Sequence, residues 1–342
     1  MTIRIHFTLQ DVARIRIADD GPRPMIELTS AIRRLQAHDH PVHLGAWRGR
    51  ARAELSPGSR MVLALIPRAG WMPAFVADSR AGTPQELLAQ VRSTPRTVLR
   101  ESLQHGAQTR QLPAWARQLP DDPVLLEQFC DELEHVHERV LAPCWNQVSA
   151  WARADLATRT RQLAAGGIDT LLGTLCPGRI RWRPPVLEVG LSSGLDGDLY
   201  LQGRGLLLAP GFFGMEGPAI TSFNAPQPAL IYPAATGQML HRLALSATAV
   251  PPWTMEPPQI ATALAALLGH TRSAVLVTIA QQPGCSNTQL AAMVGVTKAS
   301  ASEHATTLRR AGLIHTVRDR NRALHSPTHV GLDLLNTAYM RP

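Results

Sequence analysis

The sequence predicts an α+β protein, mostly α-helical, in which a helical N-terminal region with a small β-sheet precedes a C-terminal winged helix-turn-helix. Three observations predict it. Apolar residues recur at helical spacing through much of the first 176 residues. Short apolar runs separated by Gly, Pro and Asp follow from 177 to 233, which is strand-and-turn punctuation. Two capped helices and a basic hairpin then occupy 286 to 326.

The C-terminal stretch is the most informative. Its first helix opens at Ser286, whose hydroxyl can cap a free backbone N–H, and Gln289 three residues on completes a capping box. Leu290, Met293 and Val294 fall at helical spacing, and Gly295 supplies the left-handed residue that ends the helix. Thr297 caps a second helix. At about 100° per residue, Ala301, Ala305 and Leu308 form one apolar stripe. Ala299, Glu303, Thr306 and Arg310 lie opposite, flanked by Ser300, Ser302 and Thr307. Small and hydrogen-bonding residues there let a helix backbone approach base edges in a major groove. Ile314 to Arg318 and Arg322 to His325 read as strands joined through Asp319, Arg320 and Asn321. Three arginines at a hairpin tip suit phosphates or a minor groove, so the hairpin reads as a wing.

These residues resemble a family. LLGHTRSAVLVTIA (Leu267 to Ala280), VTKASASEHATTLRRAGLI and the Arg-rich hairpin resemble the winged-helix domain of ArsR/SmtB-type bacterial transcription regulators, over about the last quarter of the chain. The pieces S-x-x-x-L-A, T-x-x-S-x-S-x-H and L-x-x-A-G-L-I occur in register. The resemblance implies a homodimeric repressor whose two recognition helices, about 34 Å apart, read a palindromic operator. Two features depart from the family. Ala301 and Ala305 stand where larger aliphatic residues are usual, which implies tighter helix packing, and the metal-binding cysteines of some members are absent from this helix. A metal-sensing role is therefore not carried over. Residues 1 to about 110 resemble the N-terminal region of long ArsR-like regulators from actinobacteria, through FTLQDVARIRIA and MPAFVADSRAGTPQELLAQV, and that likeness implies no ligand.

Composition bounds the rest. The chain has 342 residues, enough for two or three domains. Its net charge of +8 is unevenly placed: from Gln259 onward seven Arg and one Lys face Glu303, Asp319 and Asp333, a balance of +5 that leaves +3 for the longer remainder. Cationic charge is thus concentrated where counterion release on DNA needs it. Lys298, the only lysine, opens the proposed recognition helix. The four cysteines are dispersed with no C-x-x-C pair, which favours a reducing cytoplasm over a disulfide framework. No signal peptide is read at the start, and the longest apolar stretch, Ile260 to Ala280, is broken by His270 and Arg272, so a soluble cytoplasmic protein without membrane contact is expected.

In chain order, Ile3 to Phe7 reads as a strand, followed by a helix capped by Thr8 with Asp11 and running through Val12 and Ile15. Met25 to Leu35 reads as a helix, and His38, His40 and His43 as a polar loop. Met61 to Phe75 is apolar and interrupted by prolines. Thr83 caps a helix with Pro84 at its first position, and Pro95 divides Leu87 to Leu103 into two helices. Asp121 to Leu175 is the most helical part, with a break at Pro143. The strand candidates are Arg179 to Trp182, Val186 to Val189, Leu199 to Leu201, Gly205 to Ala209 and Pro228 to Tyr232, forming one small sheet. Ala234 to Ala247 reads as a helix. The expected domains are 1–176, mainly helical; 177–247, a sheet region packed on it as a sensor or dimerisation unit; 248–258, a Pro-rich linker; and 259–342, the winged helix-turn-helix.

Three motifs invite other chemistry. Glu134-His135-Val136-His137-Glu138 suggests a metal, but on a helix the two histidines do not share a face, and a solvated face is the plainer reading. Gly190-Leu191-Ser192-Ser193-Gly194 has the G-x-S-x-G form of a hydrolase elbow, which needs a helix after the turn, where another strand is read. His325, His329 and Asp333 stand four apart near the last helix, with Pro327 between the histidines.

The expected function is a sequence-specific, non-enzymatic regulator that binds double-stranded DNA. Base readout falls to Ser300, Ser302, Glu303 and Thr306, phosphate contact to Lys298, Arg309 and Arg310, and the wing contact to Arg318, Arg320, Asn321 and Arg322. No catalytic residue, metal or cofactor is expected. The N-terminal region is read as sensing a small-molecule effector, or as dimerising or recruiting a partner. The alternatives are a DNA-targeted enzyme, a metal-sensing repressor, and a winged helix used for protein contacts.

Overall fold

In the computed structural model the described residues are 2–37, 41–191, 196–214, 217–221, 227–234, 262–282, 284–319 and 322–340. The expected helix from Ala234 to Ala247, Ala234 apart, and the linker 248–258 lie outside them. The described elements are mostly helical, with small sheets and a C-terminal winged helix, as the sequence predicts. Two compact units are formed, Met1–Ala37 with Ala51–Ala235, and His38–Arg50 with Thr236–Pro342.

The first unit begins with strand β1 (Thr2–His6), whose Ile3 and Ile5 alternate inward against Leu187 and Val189 of β4 (Val186–Gly190). With β3 (Ile180–Arg183) and β5 (Gly197–Tyr200) these make a sheet in the order β3-β4-β1-β5, antiparallel except for β1 beside β5. A second sheet, in the order β2-β6-β8-β7, joins β2 (Arg16–Ile17), β6 (Leu207–Gly211), β8 (Ala229–Pro233) and β7 (Ala219–Thr221). There are thus two sheets where one was expected, and each draws a strand from the first 17 residues. The sheet residues share one apolar core with Leu171, Leu172 and Leu175.

Local signals place the helices. Thr8 and Asp11 form the expected capping box on α1 (Leu9–Ala13), and Asp11 also accepts the Gly205 N–H at 2.9 Å, tying the cap to the start of the β6 region. The helix ends at Ala13, short of Ile15, because Arg16 and Ile17 leave it to pair with β6. Helix α2 (Pro24–Gln36) follows. Of the residues read as a loop, His38 and His40 lie outside the described residues and His43 belongs to α3 (Pro41–Glu54), whose mixed Gly, Arg and Trp sequence carries no clear stripe and whose residues to Arg50 fall in the second unit. Helix α4 (Arg60–Leu65) leads to α5 (Pro84–Arg92), boxed by Thr83 and Glu86, and α6 (Arg96–Thr109) starts after Pro95 as expected.

Helix α7 (Pro123–Val136) passes through a π-helical turn, His137–Leu141, and a 3-10 turn, Ala142–Cys144, into α8 (Trp145–Gly173), so Pro143 does mark the break. A π turn adds a residue and rotates the helix beyond it. His137, four residues after buried Leu133 on the same stripe, is buried, against the expectation of a solvated face, and burial pushes its imidazole pKa down. Glu138 does face solvent. Helix α8 is itself kinked at Gly166–Gly167.

On α8, Asp155 and Arg159 form a buried network with β8. Tyr232 donates its hydroxyl proton to Asp155 Oδ2, Arg159 Nε donates to Asp155 Oδ1 at 3.2 Å, and the guanidinium lies 4.9 Å from the Tyr232 ring centre. Arg159 Nη1 also donates to the Thr174 carbonyl at 3.2 Å. Trp151, one turn earlier, meets Phe212 at the end of β6 with ring centres 5.8 Å apart.

The second unit contains α9 (Thr262–Leu268), α10 (His270–Gln281), α11 (Asn287–Val294), α12 (Lys298–Arg310) and α13 (His329–Met340). A three-stranded sheet in the order β10-β11-β9 completes it, from β9 (Cys285–Ser286), β10 (Ile314–Asp319) and β11 (Arg322–Pro327). In the apolar stretch Ile260 to Ala280 the described residues form two helices, because Gly269 takes a left-handed φ of +84° between α9 and α10. Val275, Leu276, Ile279, Leu290, Ala301, Ala305, Leu308, Leu332 and Leu335 share the core.

Candidate nucleic-acid interface

The helix-turn-helix is built by its caps. Gln289 N donates to Ser286 Oγ at 3.4 Å and Ser286 N to Gln289 Oε1 at 2.9 Å, closing the box at the start of α11. Gly295, at φ +74°, ends that helix, and Thr297 Oγ1 accepts the Ser300 N–H at 3.2 Å to start α12. At the far end Gly312 is left-handed, Leu313 N reaches the Leu308 carbonyl at 2.9 Å, and Gly312 N reaches that of Arg309 at 3.0 Å. This is a Schellman stop, and it aims the chain into β10.

The caps fix the rotation of α12, and burial matches the predicted faces. Ala301, Ala305 and Leu308 are fully buried. Lys298, Ala299, Glu303, Thr307, Arg309 and Arg310 are exposed, and Ser300, Ser302 and Thr306 are half-buried along the same outward side. The Thr307 hydroxyl donates to the Glu303 carbonyl at 3.1 Å, which lowers its profile on the helix. Two alanines in the buried stripe let α12 pack closely on α10 and α11. Ala305→Leu is therefore expected to overpack the site and cost roughly 1–3 kcal/mol, read as a lower denaturation midpoint of this unit; an unchanged midpoint would mean the helices are not closely fitted there.

The wing is a tight hairpin. Ile314 pairs with Pro327, Thr316 with His325 and Asp319 with Arg322. Arg318 is exposed beside Val317. Arg320 and Asn321 lie outside the described residues, as does the side chain of Arg322. Of the eleven residues picked from the sequence, the structure thus brings Lys298, Ser300, Ser302, Glu303, Thr306, Arg309 and Arg310 onto one helix and carries Arg318 on the adjoining hairpin. Among the described residues, Lys298, Arg309, Arg310 and Arg318 make no ion pair, which leaves their charge for an external anion.

The sequence missed the base of the wing. His325 is buried and uses both ring nitrogens: Nε2 donates to Asn287 Oδ1 at 2.8 Å, and Nδ1 accepts from the Thr316 hydroxyl at 2.9 Å. Burial, with Arg309 nearby, pushes its pKa down and holds the ring neutral. A metal at His325 would have to displace both partners. The alternation of β11, with His325 and Pro327 inward, was the available signal. Among the described residues no group of three His, Cys, Asp or Glu is placed to hold a metal, and no helix is long and apolar enough to cross a membrane.

Comparison with known proteins agrees with this geometry. The model of the MarR family matches residues 268–321, a stretch well short of half the chain. The ArsR/SmtB-type motifs fall within the same region, but the family matched is MarR. A crystal structure described as a predicted DNA-binding transcriptional regulator from E. coli is 26% identical over 22% of this chain and 82% of its own, with a TM-score of 0.20, a value at which the likeness carries no argument. No curated protein matches. Over residues 268–321, then, the chain is similar to the winged-helix domain of the MarR family.

Proposed function

We propose that the protein is a sequence-specific transcription regulator that acts as a homodimeric repressor on a palindromic operator in double-stranded DNA. The observation that carries this reading is α12: a low-profile outward face, flanked by exposed cations that make no ion pair among the described residues, on a winged helix. Ser300, Ser302, Glu303 and Thr306 read base edges. Lys298, Arg309 and Arg310 contact phosphates, and Arg318, Arg320, Asn321 and Arg322 hold the wing on the backbone or in the minor groove. The ArsR/SmtB type rests on the order of the three motif pieces. Exposed Leu267 on α9 and Val330 on α13 support pairing of two copies through these helices.

The N-terminal region is proposed to sense a small-molecule effector, or to dimerise, on the ground that it is far larger than a support for the winged helix needs. No catalytic residue is assigned: after Gly190 the next described element is β5, a strand where a nucleophile elbow needs a helix. A cytoplasmic location accompanies this reading.

Selection of duplexes from a random-sequence pool tests it. Enrichment of a palindrome with half-sites about one helical turn apart is expected, and recovery of no preferred sequence would contradict it. Within the selected site, Glu303→Gln is expected to relax discrimination at one position, a cytosine whose amino group the carboxylate accepts, by roughly 1–3 kcal/mol; unchanged discrimination would remove Glu303 from the readout.

A further inference from the structure

We infer that His325 is a positioning residue that fixes the angle of the wing, so that Arg318 meets the DNA backbone while α12 lies in the groove. This rests on the DNA-contact reading above and adds a residue to it that touches no DNA.

The hairpin leaves the body of the domain just beyond its root. Ile314, at the start of β10, is buried, whereas Val317 is 58% exposed and Arg318 is exposed, so the outer part of β10 is little covered, while on β11 Leu324 still faces Ser286 of β9 in register. Thr316 and His325 are register partners, and among the hairpin side chains described His325 is the buried one nearest the tip. His325 joins three elements there. It stands on β11, accepts from Thr316 on β10, and donates to Asn287, the first residue of α11. Its backbone also faces Cys285 of β9 in register. An apolar side chain would fill the same space, but it has no directional bond to α11. Two hydrogen bonds at fixed angles instead hold the hairpin against the helix-turn-helix, which is the kind of specification buried polar networks supply.

The groups facing the ring leave it neutral. Arg309 on α12 opposes a second proton, the Cys285 thiol is pushed up to about 11 by burial and stays protonated, and Thr316 and Asn287 are uncharged. A proton added to Nδ1 would force the Thr316 hydroxyl to turn and accept, placing a charge in the wing base.

Thr316→Val tests the role, since it keeps the shape and removes one bond; His325→Gln, which reaches only one of the two partners, is the second variant. Thermal unfolding establishes that each is folded. In both, amide exchange of β10 and β11 is expected to rise about tenfold over wild type while α12 is unchanged. The slope of binding against salt on the selected duplex is expected to fall by about one, the loss of one phosphate contact, with sequence preference retained. Faster wing exchange on acidification below the ordinary histidine range is expected in the wild type and not in His325→Gln. Wild-type exchange and slope in both variants would overturn the inference. If the wild type binds no duplex, the DNA-contact reading fails, and the exchange rates still decide whether His325 holds the wing.

Discussion

Asp155→Ala is expected to destabilise the first unit by about 3–5 kcal/mol, the cost of leaving a buried charge without its partner. Asp155 is the acceptor for both the Tyr232 hydroxyl and Arg159 Nε, and both side chains of the ion pair are 10% exposed. Removing it strands a guanidinium that keeps only the Thr174 carbonyl, Gln162 and the Tyr232 ring face, together with a phenol whose ionisation burial and the neighbouring carboxylate had already made unfavourable. Tyr232→Phe leaves the ion pair intact and is expected to cost only about 1–2 kcal/mol. Urea unfolding followed by far-ultraviolet circular dichroism compares them. A loss below about 1 kcal/mol for Asp155→Ala would mean that the α8 to β8 network is not part of the stable core.

Raising the pH from 5 to 8 is expected to remove about 3 kcal/mol of stability from the same unit through Glu27 alone. Glu27 is fully buried on α2, and its carboxylate accepts from Phe212 N at 2.9 Å and Phe213 N at 3.0 Å. Burial raises its pKa to about 7, although the two N–H groups pull the other way. The folded chain therefore holds a proton that the unfolded chain has already lost above the ordinary carboxylate range. Stability is fully present below that range and declines as pH rises to about 7. Glu27→Gln is expected to flatten the profile, and a wild-type curve already flat between pH 5 and 8 would contradict the assignment. The second unit runs the opposite way: His325, with its pKa pushed down, makes that unit less stable as pH falls through the ordinary histidine range. Amide exchange resolved by unit separates the two.

Much of the site was legible because it is written in local chemistry. Ser286, Gln289, Gly295 and Thr297 each act through a backbone conformation or a hydrogen bond within three or four residues, so their spacing specifies both helix ends and the rotation of α12. Burial of Ala301, Ala305 and Leu308 is a consequence of that rotation. The illegible features are non-local. Arg16 and Ile17 are too few to show alternation, and only pairing with β6 makes them a strand, so the division into two sheets was not visible, although β6 and β8 were read as strands. Helix α3 lacks a readable stripe. The π turn after Val136 is announced by no pattern, whereas His137 itself falls in line with buried Cys130 and Leu133 at helical spacing, a signal that its acidic neighbours mask. In the site itself, Asn287 and His325 are 38 residues apart, and neither residue alone signals that they bond.

Binding of the protein to the duplex upstream of its own coding region, across ~50–200 mM salt and beside an Arg318/Arg320/Arg322→Ala variant, decides whether the winged helix grips DNA as proposed. Site-specific binding that weakens steeply with salt is expected of the wild type. The variant is expected to bind more weakly, with a slope smaller by about two to three, the phosphate contacts of the wing. Binding indifferent to salt, or a variant that binds with the affinity and slope of the wild type, would contradict the proposal.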